Sequence, residues 1–162
     1  MGSGKSTLGE RLAERLGWVF FDLDRMLESA QERTVRDLIE RDGERPFRAL
    51  ELETLRAHAA SQPRHAVTAT GGGIVEVAEA CRLLASLGTV VWLRADPQVC
   101  VERLGASSQT RPLLDAGNDW RRRYARRAPL YERAAQHVVD THPAALESSL
   151  EQLVRLVQAY CQ

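Results

Sequence analysis

The sequence predicts one α/β domain, residues 1–162, in which helices cover both faces of a parallel sheet in three layers. Short runs of β-branched and apolar residues alternate with longer helical patterns along the chain. Parallel strands require crossover helices, and these cover both faces of the sheet. A chain of 162 residues can also bury a sizeable core without disulfides.

The first predicted helix runs from about Lys5 to Leu16. Leu8 and Leu12 lie on one face together with Leu16, and Gly17 follows as a stop signal. Glycines stand directly before this helix, so a loop of the phosphate-binding type opens into its N-terminus.

A short strand is predicted at residues 18–22, and helical patterns follow at about 25–30, 35–41 and 46–60. We expect these helices to form an insertion over about residues 25–62 that binds a substrate.

Strand and helix then alternate to the end of the chain. Strand patterns lie at residues 66–70, 89–93 and 138–141, and helical patterns cover residues 76–87, 97–104, a stretch ending near 135, and the C-terminus. The polar residues at about 106–118 lack periodicity, which indicates a loop that could act as a lid.

Composition excludes several classes of protein. The 22 Lys and Arg residues balance the 22 Asp and Glu residues, so no net charge favours nucleic acid or an acidic membrane surface. No apolar run approaches the roughly 20 residues that span a bilayer. The three cysteines form no CxxC pair. We expect a cytoplasmic monomer that binds neither nucleic acid nor membrane.

The N-terminal residues end a P-loop motif, G-x-x-x-x-G-K-[ST]. Its backbone N–H groups hold phosphate oxygens, Lys5 reaches the β and γ phosphates, and Ser6 is a candidate Mg²⁺ ligand. A plain flexible N-terminus is the alternative, but G-K-S-T heading an amphipathic helix favours nucleotide binding. The candidate nucleotide-binding residues here are Gly2, Ser3, Gly4, Lys5, Ser6 and Thr7.

The start of the motif is incomplete in this chain. Its first glycine would fall two residues before Met1, and the strand that feeds such a loop has no counterpart. That strand is central and buried in P-loop folds, so its loss would cost more than typical domain stability. We therefore expect an N-terminally truncated P-loop NTPase fold, with weak ATP binding and poor solubility if the chain truly begins at Met1.

Two carboxylates follow the first strand, Asp22 and Asp24. The C-terminal ends of parallel strands border the ligand crevice, so one carboxylate can serve a metal and the other an acceptor hydroxyl. Alternatively, Asp24 only caps a helix that begins at Arg25. The residues alone leave both interpretations open.

Three glycines, Gly71, Gly72 and Gly73, separate a strand from a helix. Backbone without side chains can approach a ligand closely and offer N–H donors. A tight strand-to-helix turn is an equally good explanation.

Arg48, Arg111 and Arg127 are candidates for binding anions, because guanidinium groups match carboxylate and phosphate oxygens. Each is, taken alone, also explained as a solvated surface charge. Arg111 lies beside a proline in the polar loop, where a mobile lid over phosphates would need it. Arg121 to Arg123 are expected on a solvated helix face.

Taken together, these segments resemble the shikimate kinase family from end to end. The motifs that carry the resemblance are M-G-S-G-K-S-T-L-G, F-D-L-D, G-E-R-P-F-R-A-L-E, A-T-G-G-G, R-P-L-L, and R-A-P-L-Y followed by V-V-D-T. Several motifs in order are far more specific than the P-loop alone. The resemblance implies transfer of the γ-phosphoryl group of ATP, with Mg²⁺, to the 3-hydroxyl of shikimate.

The resemblance also implies roles for particular residues. Asp24 binds the reacting hydroxyl as the candidate base, while Arg48, Arg127 and the backbone around Gly72 hold the carboxylate and ring. Asp22 resembles the outer-shell partner of Mg²⁺.

Two further roles follow from the resemblance, and both lie late in the chain. Arg111 resembles a lid arginine that contacts the transferred phosphate, and the loop around Pro143 flanks the adenine. Lys5, Arg111 and Mg²⁺ would then offset the charge that develops during transfer.

Two alternatives stay open on the sequence. One is another small-acid kinase, similar to gluconate kinase, which shares the phosphate loop but not the combination of D-L-D, G-G-G and R-P-L-L. The other is a catalytically silent domain, although the retained Lys5, Ser6, Asp22 and Asp24 argue against decay. Two carboxylate-directed arginines disfavour a nucleotide acceptor.

Overall fold

The computed structural model describes residues 2–105, 119–141 and 146–160. The helices are α1 (Lys5–Leu16), α2 (Leu23–Gln31), α3 (Val35–Asp42), α4 (Glu44–Ala60), α5 (Ala78–Leu87), α6 (Pro97–Gly105), α7 (Asp119–Ala134) and α8 (Leu146–Tyr160). The strands are β1 (Val19–Asp22), β2 (Ala66–Ala69), β3 (Val91–Arg94) and β4 (His137–Asp140), and a 3₁₀ turn spans Ile74–Glu76. The predicted alternation of strand and helix is confirmed.

The strands form two parallel pairs. β1 pairs with β2, and β3 pairs with β4. In the first pair Asp22 lies opposite Ala69, so both strands end at the same edge. The D-L-D and G-G-G segments that follow are therefore neighbours, as expected for a ligand crevice at the C-terminal ends of parallel strands.

Helix α1 begins and ends at the residues that the sequence predicted. Gly17 adopts a left-handed φ of 67°, and its N–H group donates to the carbonyls of Ala13 and Glu14. A residue without a Cβ adopts this conformation at little cost, and the capped carbonyls end the helix.

A core cluster packs α1 against α8 and the second strand pair. Its buried members are Leu8, Leu12, Val139, Leu150 and Leu153. Val67 of β2 and Val91 of β3 also pack against this cluster. One helical layer therefore covers both strand pairs and fixes the phosphate loop, which lies at the start of α1, relative to them.

The helical insertion, α2 to α4, has its own apolar contacts. One cluster joins α2 and α4 to the 3₁₀ turn and α5, and another joins α2, α3 and α4. Their buried members are Leu23, Leu55, Ile74 and Ala80 in the first, and Leu27, Leu38 and Phe47 in the second. These contacts hold α4 beside the glycine segment. No helix in the described ranges is long and apolar enough to cross a membrane.

Candidate active site

The phosphate loop depends on two glycines with positive φ. Gly2 has a φ of 75° and Gly4 has a φ of 88°, and a Cβ added at Gly2 would overlap the carbonyl of Cys100. The loop leads into α1, where Leu8 N–H donates to Gly4 O at 2.8 Å. Because the first turn of a helix leaves N–H groups without intrahelical acceptors, this end of α1 favours an anion.

The predicted metal residues Ser6 and Asp22 contact each other. Ser6 Oγ donates to Asp22 Oδ2 at 2.8 Å. The other carboxylate oxygen accepts from the N–H groups of Asp24, at 3.1 Å, and Arg25, at 3.4 Å. Asp22 thus connects the phosphate loop to the end of β1 while it caps α2.

The capping interpretation of Asp24 is wrong. The N-cap of α2 is Asp22, and the helix begins at Leu23 rather than at Arg25. Asp24 is a first-turn residue whose carboxylate lies near the glycine segment: a Cβ added at Gly71 would be 2.9 Å from Asp24 Oδ1. A cap is therefore not the reason for a carboxylate at this position.

The glycine segment forms the tight turn that one interpretation predicted, while its approach to a ligand stays a prediction. Ile74 N–H donates to Gly71 O at 3.3 Å, which closes a tight turn. A Cβ at Gly71 would also overlap Glu51 Oε1, and one at Gly73 would overlap the Arg48 guanidinium. The absence of side chains therefore lets two charged groups approach the backbone. Tyr131 Oη holds the segment on its other side by donating to Gly72 O at 2.6 Å.

Arg48 and Arg127 are not solvated surface charges. Their side chains are only 15% and 11% exposed, and both pair with carboxylates. Arg48 Nη1 donates to the buried Glu51 at 2.7 Å, and Arg127 Nη2 donates to Glu76 at 2.7 Å. Glu44 accepts from Arg48 Nη2 at 2.8 Å. Buried charges persist only when they are paired, so this cluster is a built feature of the fold.

The environment shifts the pKa of three of these groups. Burial raises the pKa of Glu51, and the neighbouring Arg48 offsets only part of that effect. Burial opposes the charge of Arg48, yet Glu51 and Glu44 keep its pKa above the ordinary value. Burial also opposes ionisation of Glu76, but the hydrogen bond from Arg127 and the charges of Arg127, Arg126 and Arg48 together outweigh it and lower the pKa of Glu76.

One cavity of about 280 Å³ brings most of the predicted residues together. Its wall includes Ser3, Lys5, Asp24, Arg48, the three glycines and Arg127. It therefore extends from the phosphate loop to the arginine pair.

Other predicted residues lie elsewhere. Thr7 is exposed. Arg123 also borders the cavity and is half-buried, unlike Arg121 and Arg122, so its assignment to a solvated face was wrong. Arg111, Pro143 and the predicted lid, residues 106–118, lie outside the described residues.

Sequence reasoning missed four residues of this site. They are Glu44, Glu51, Glu76 and Tyr131. Helical spacing offered a signal for two of them, because residues three or four apart share a helix face and Glu44, Arg48 and Glu51 have these spacings. Glu76 comes from a separate turn, and no spacing connects it to Arg127.

Metal binding by protein side chains alone finds no support among the described residues, where no group of three or more His, Cys, Asp or Glu could hold an ion. The Ser6 hydroxyl and the Asp22 carboxylate do present the oxygen donors that Mg²⁺ prefers. Such a pair fits an ion whose other ligands are nucleotide phosphates and water.

A family model described as shikimate kinase matches residues 1–158 of the chain. The chain belongs to the shikimate kinase family. The predicted family, the α/β P-loop kinase fold and the assignment as an ATP-dependent phosphotransferase with an alcohol acceptor are thereby confirmed.

Individual relatives agree with this assignment. The shikimate kinase of Synechococcus sp. strain CC9605 is 42% identical over 159 residues, which cover 95% of this chain and 78% of the relative. The shikimate kinase of Symbiobacterium thermophilum is 38% identical over 162 residues, covering 98% and 92%. The crystal structure of the Bacteroides thetaiotaomicron shikimate kinase has a TM-score of 0.86 at 32% identity and covers 98% of this chain and 94% of its own.

A further solved structure was determined with a ligand. It is the shikimate kinase of Acinetobacter baumannii in complex with shikimate, with a TM-score of 0.89 at 31% identity. The superposition covers 99% of this chain and 89% of that one.

Proposed function

We propose that this protein transfers the γ-phosphoryl group of ATP to the 3-hydroxyl of shikimate, giving shikimate 3-phosphate and ADP. The observation that carries the proposal is the shared cavity, which Lys5, Asp24, Arg48 and Arg127 all border. Phosphoryl transfer mainly requires that donor and acceptor be positioned together and that developing charge be neutralised. A cavity with a phosphate loop at one end and paired arginines at the other meets both needs.

At the phosphate end, the backbone of Gly2 to Gly4 and the first turn of α1 hold the phosphates, and Lys5 contacts the β and γ groups. Ser6 and Asp22, joined at 2.8 Å, hold Mg²⁺ together with the nucleotide. When bound, the ion offsets charge on the phosphate oxygens.

At the acceptor end, Asp24 accepts a hydrogen bond from the reacting hydroxyl and takes its proton. Arg48 and Arg127 bind the carboxylate of the acid, and Gly71 to Gly73 leave room for its ring. Arg111 on the lid and Pro143 beside adenine stay predictions, as do a monomeric state and a cytoplasmic location.

The proposal is tested by a coupled assay of ADP release with MgATP and either shikimate or gluconate. We expect turnover that depends on shikimate, and loss of that turnover in Asp24→Asn, a variant of the same shape without a base. Turnover with gluconate but not with shikimate would contradict the substrate assignment and favour a kinase similar to gluconate kinase. Nucleotide binding without any acceptor-dependent turnover would favour the silent domain.

A further inference from the structure

Four side chains at the acceptor end form a closed ring of alternating charge, which we call the charge ring: Arg48, Glu44, Arg127 and Glu76. One oxygen of Glu44, Oε1, lies 2.8 Å from Arg48 Nη2 and 3.4 Å from Arg127 Nη2. One oxygen of Glu76, Oε2, lies 2.7 Å from Arg127 Nη2 and 3.5 Å from Arg48 Nη2. Each carboxylate therefore bridges the same two guanidinium nitrogens.

A carboxylate between two guanidinium groups is the arrangement that an acid substrate would adopt with Arg48 and Arg127. Other donors of the two arginines are already used or are buried. Arg48 Nη1 donates to Glu51 at 2.7 Å. Arg48 Nε and Arg127 Nε are both buried and have no hydrogen-bond acceptor among the described residues. A substrate carboxylate that bridges the two Nη2 atoms would therefore compete with glutamate oxygens that already lie there.

The two glutamates differ in how firmly they are held. The Glu76 side chain is 20% exposed and also accepts from Arg126 through its other oxygen. The Glu44 side chain is 50% exposed. Glu44 is also the first residue of α4, directly after Gly43, which has a φ of 90°. Of the two, Glu44 can turn into solvent with the smaller loss of contacts.

We propose that Glu44 is a displaceable internal anion that holds the two arginines in position and yields its place to the substrate carboxylate. This inference rests on the proposed function, because it takes Arg48 and Arg127 as the groups that bind the acid. Displacing Glu44 costs part of the binding energy, so the residue lowers the affinity for the acid. In return, the arginines stay oriented between turnovers. Glu76 stays in place and positions Arg127.

The test is the variant Glu44→Gln, which keeps the shape of the side chain and removes its charge. We expect KM for shikimate to fall by about three- to tenfold, with kcat and KM for ATP unchanged, as for loss of a partly exposed ion pair. Glu76→Gln should have the opposite effect and raise KM for shikimate, because Arg127 then loses its closest partner.

Two controls separate displacement from a general change in charge. Glu53→Gln removes the same charge from an exposed position of α4, about half a turn around the helix axis from Glu44, and should leave KM unchanged. Methyl shikimate lacks the negative charge, so its binding, measured by calorimetry without nucleotide, should not improve in Glu44→Gln.

The outcomes distinguish this inference from the proposed function. Shikimate-dependent turnover combined with an unchanged or raised KM in Glu44→Gln would overturn the displacement inference alone. An equal gain in affinity for shikimate and methyl shikimate would overturn it too. A wild-type protein that neither binds nor phosphorylates shikimate would overturn both.

Discussion

The two ends of the cavity are built in different ways. The phosphate end uses residues 2–7, consecutive in the chain, and one hydrogen bond between Ser6 and Asp22. The acceptor end uses charged side chains from α4, the 3₁₀ turn and α7, which are far apart in sequence. Backbone donors need no counter-charge, whereas buried guanidinium groups do. The fold therefore supplies glutamates at the acceptor end, and the substrate carboxylate competes with one of them, Glu44.

The strongest test of this contrast is Lys5→Met. Loss of the lysine charge should reduce kcat by about 10³-fold, because a group that stabilises transferring phosphate is removed from a preorganised site. The binding of shikimate without nucleotide, measured by calorimetry, should stay within about twofold of wild type, since the arginine pair is untouched. If Lys5→Met abolished shikimate binding, the two ends would not be independent.

The next largest effect is expected for Arg48→Lys. Lysine keeps the positive charge but cannot donate to Glu51 and Glu44 at once through a planar fork. We expect kcat/KM for shikimate to fall by about 10²-fold, mainly through KM, while KM for ATP is unchanged. A fall in kcat at unchanged KM would instead place Arg48 among the groups that stabilise the transition state.

The difference between the two ends also explains what could be predicted from the sequence. The bounds of α1 follow from the leucine spacing and from Gly17, which are local signals. Lys5 and Ser6 follow from a motif in which the backbone does most of the binding. Asp22 follows from its place at the C-terminal end of the first strand. Arg48 and Arg127 were identified through the family resemblance rather than through spacing. Taken alone, each of these arginines fitted a solvated surface charge better than a binding residue.

What could not be predicted is the set of contacts between α7 and the 3₁₀ turn. Glu76 meets Arg127 only because the 3₁₀ turn packs against α7, and Tyr131 reaches Gly72 across the same contact. Such pairs depend on how the elements pack against each other, and no periodic pattern in a single sequence indicates that packing. The start of α2 was predicted two residues too late, at Arg25 instead of Leu23, because Asp22 and Asp24 are both good capping residues.

A smaller effect is expected from Gly71→Ala. The added methyl group would overlap Glu51 Oε1 and lie 2.9 Å from Asp24 Oδ1, so both carboxylates must shift. We expect a loss of about 1–3 kcal/mol in the free energy of unfolding, with a raised KM for shikimate. Gly88→Ala is the matched control, since nothing lies within 4 Å of a Cβ there. An equal change in the free energy of unfolding in the two variants, measured in urea, would contradict the close approach of Glu51 and Asp24 to Gly71.

The smallest effect is expected from pH, through a residue that joins the acceptor end to the sheet. His58 of α4 is buried, its Nε2 lies 3.0 Å from Thr68 Oγ1, and its ring contacts Phe21, which faces Thr68 across the first strand pair. Burial lowers the pKa of His58.

Because that pKa is lowered, His58 is protonated in the unfolded chain but neutral in the native protein at pH values between the native and the ordinary pKa. The contribution of His58 to stability is therefore present above the ordinary histidine pKa and is lost as pH falls through that value toward the lower native one. We expect the free energy of unfolding to decrease less between pH 8 and pH 5 in His58→Gln than in wild type, whatever the stability of the variant at pH 8. Parallel pH profiles of the two proteins in urea unfolding would show that protonation of His58 does not destabilise the native state. The contacts of His58 with Thr68 and Phe21 would then not depend on pH.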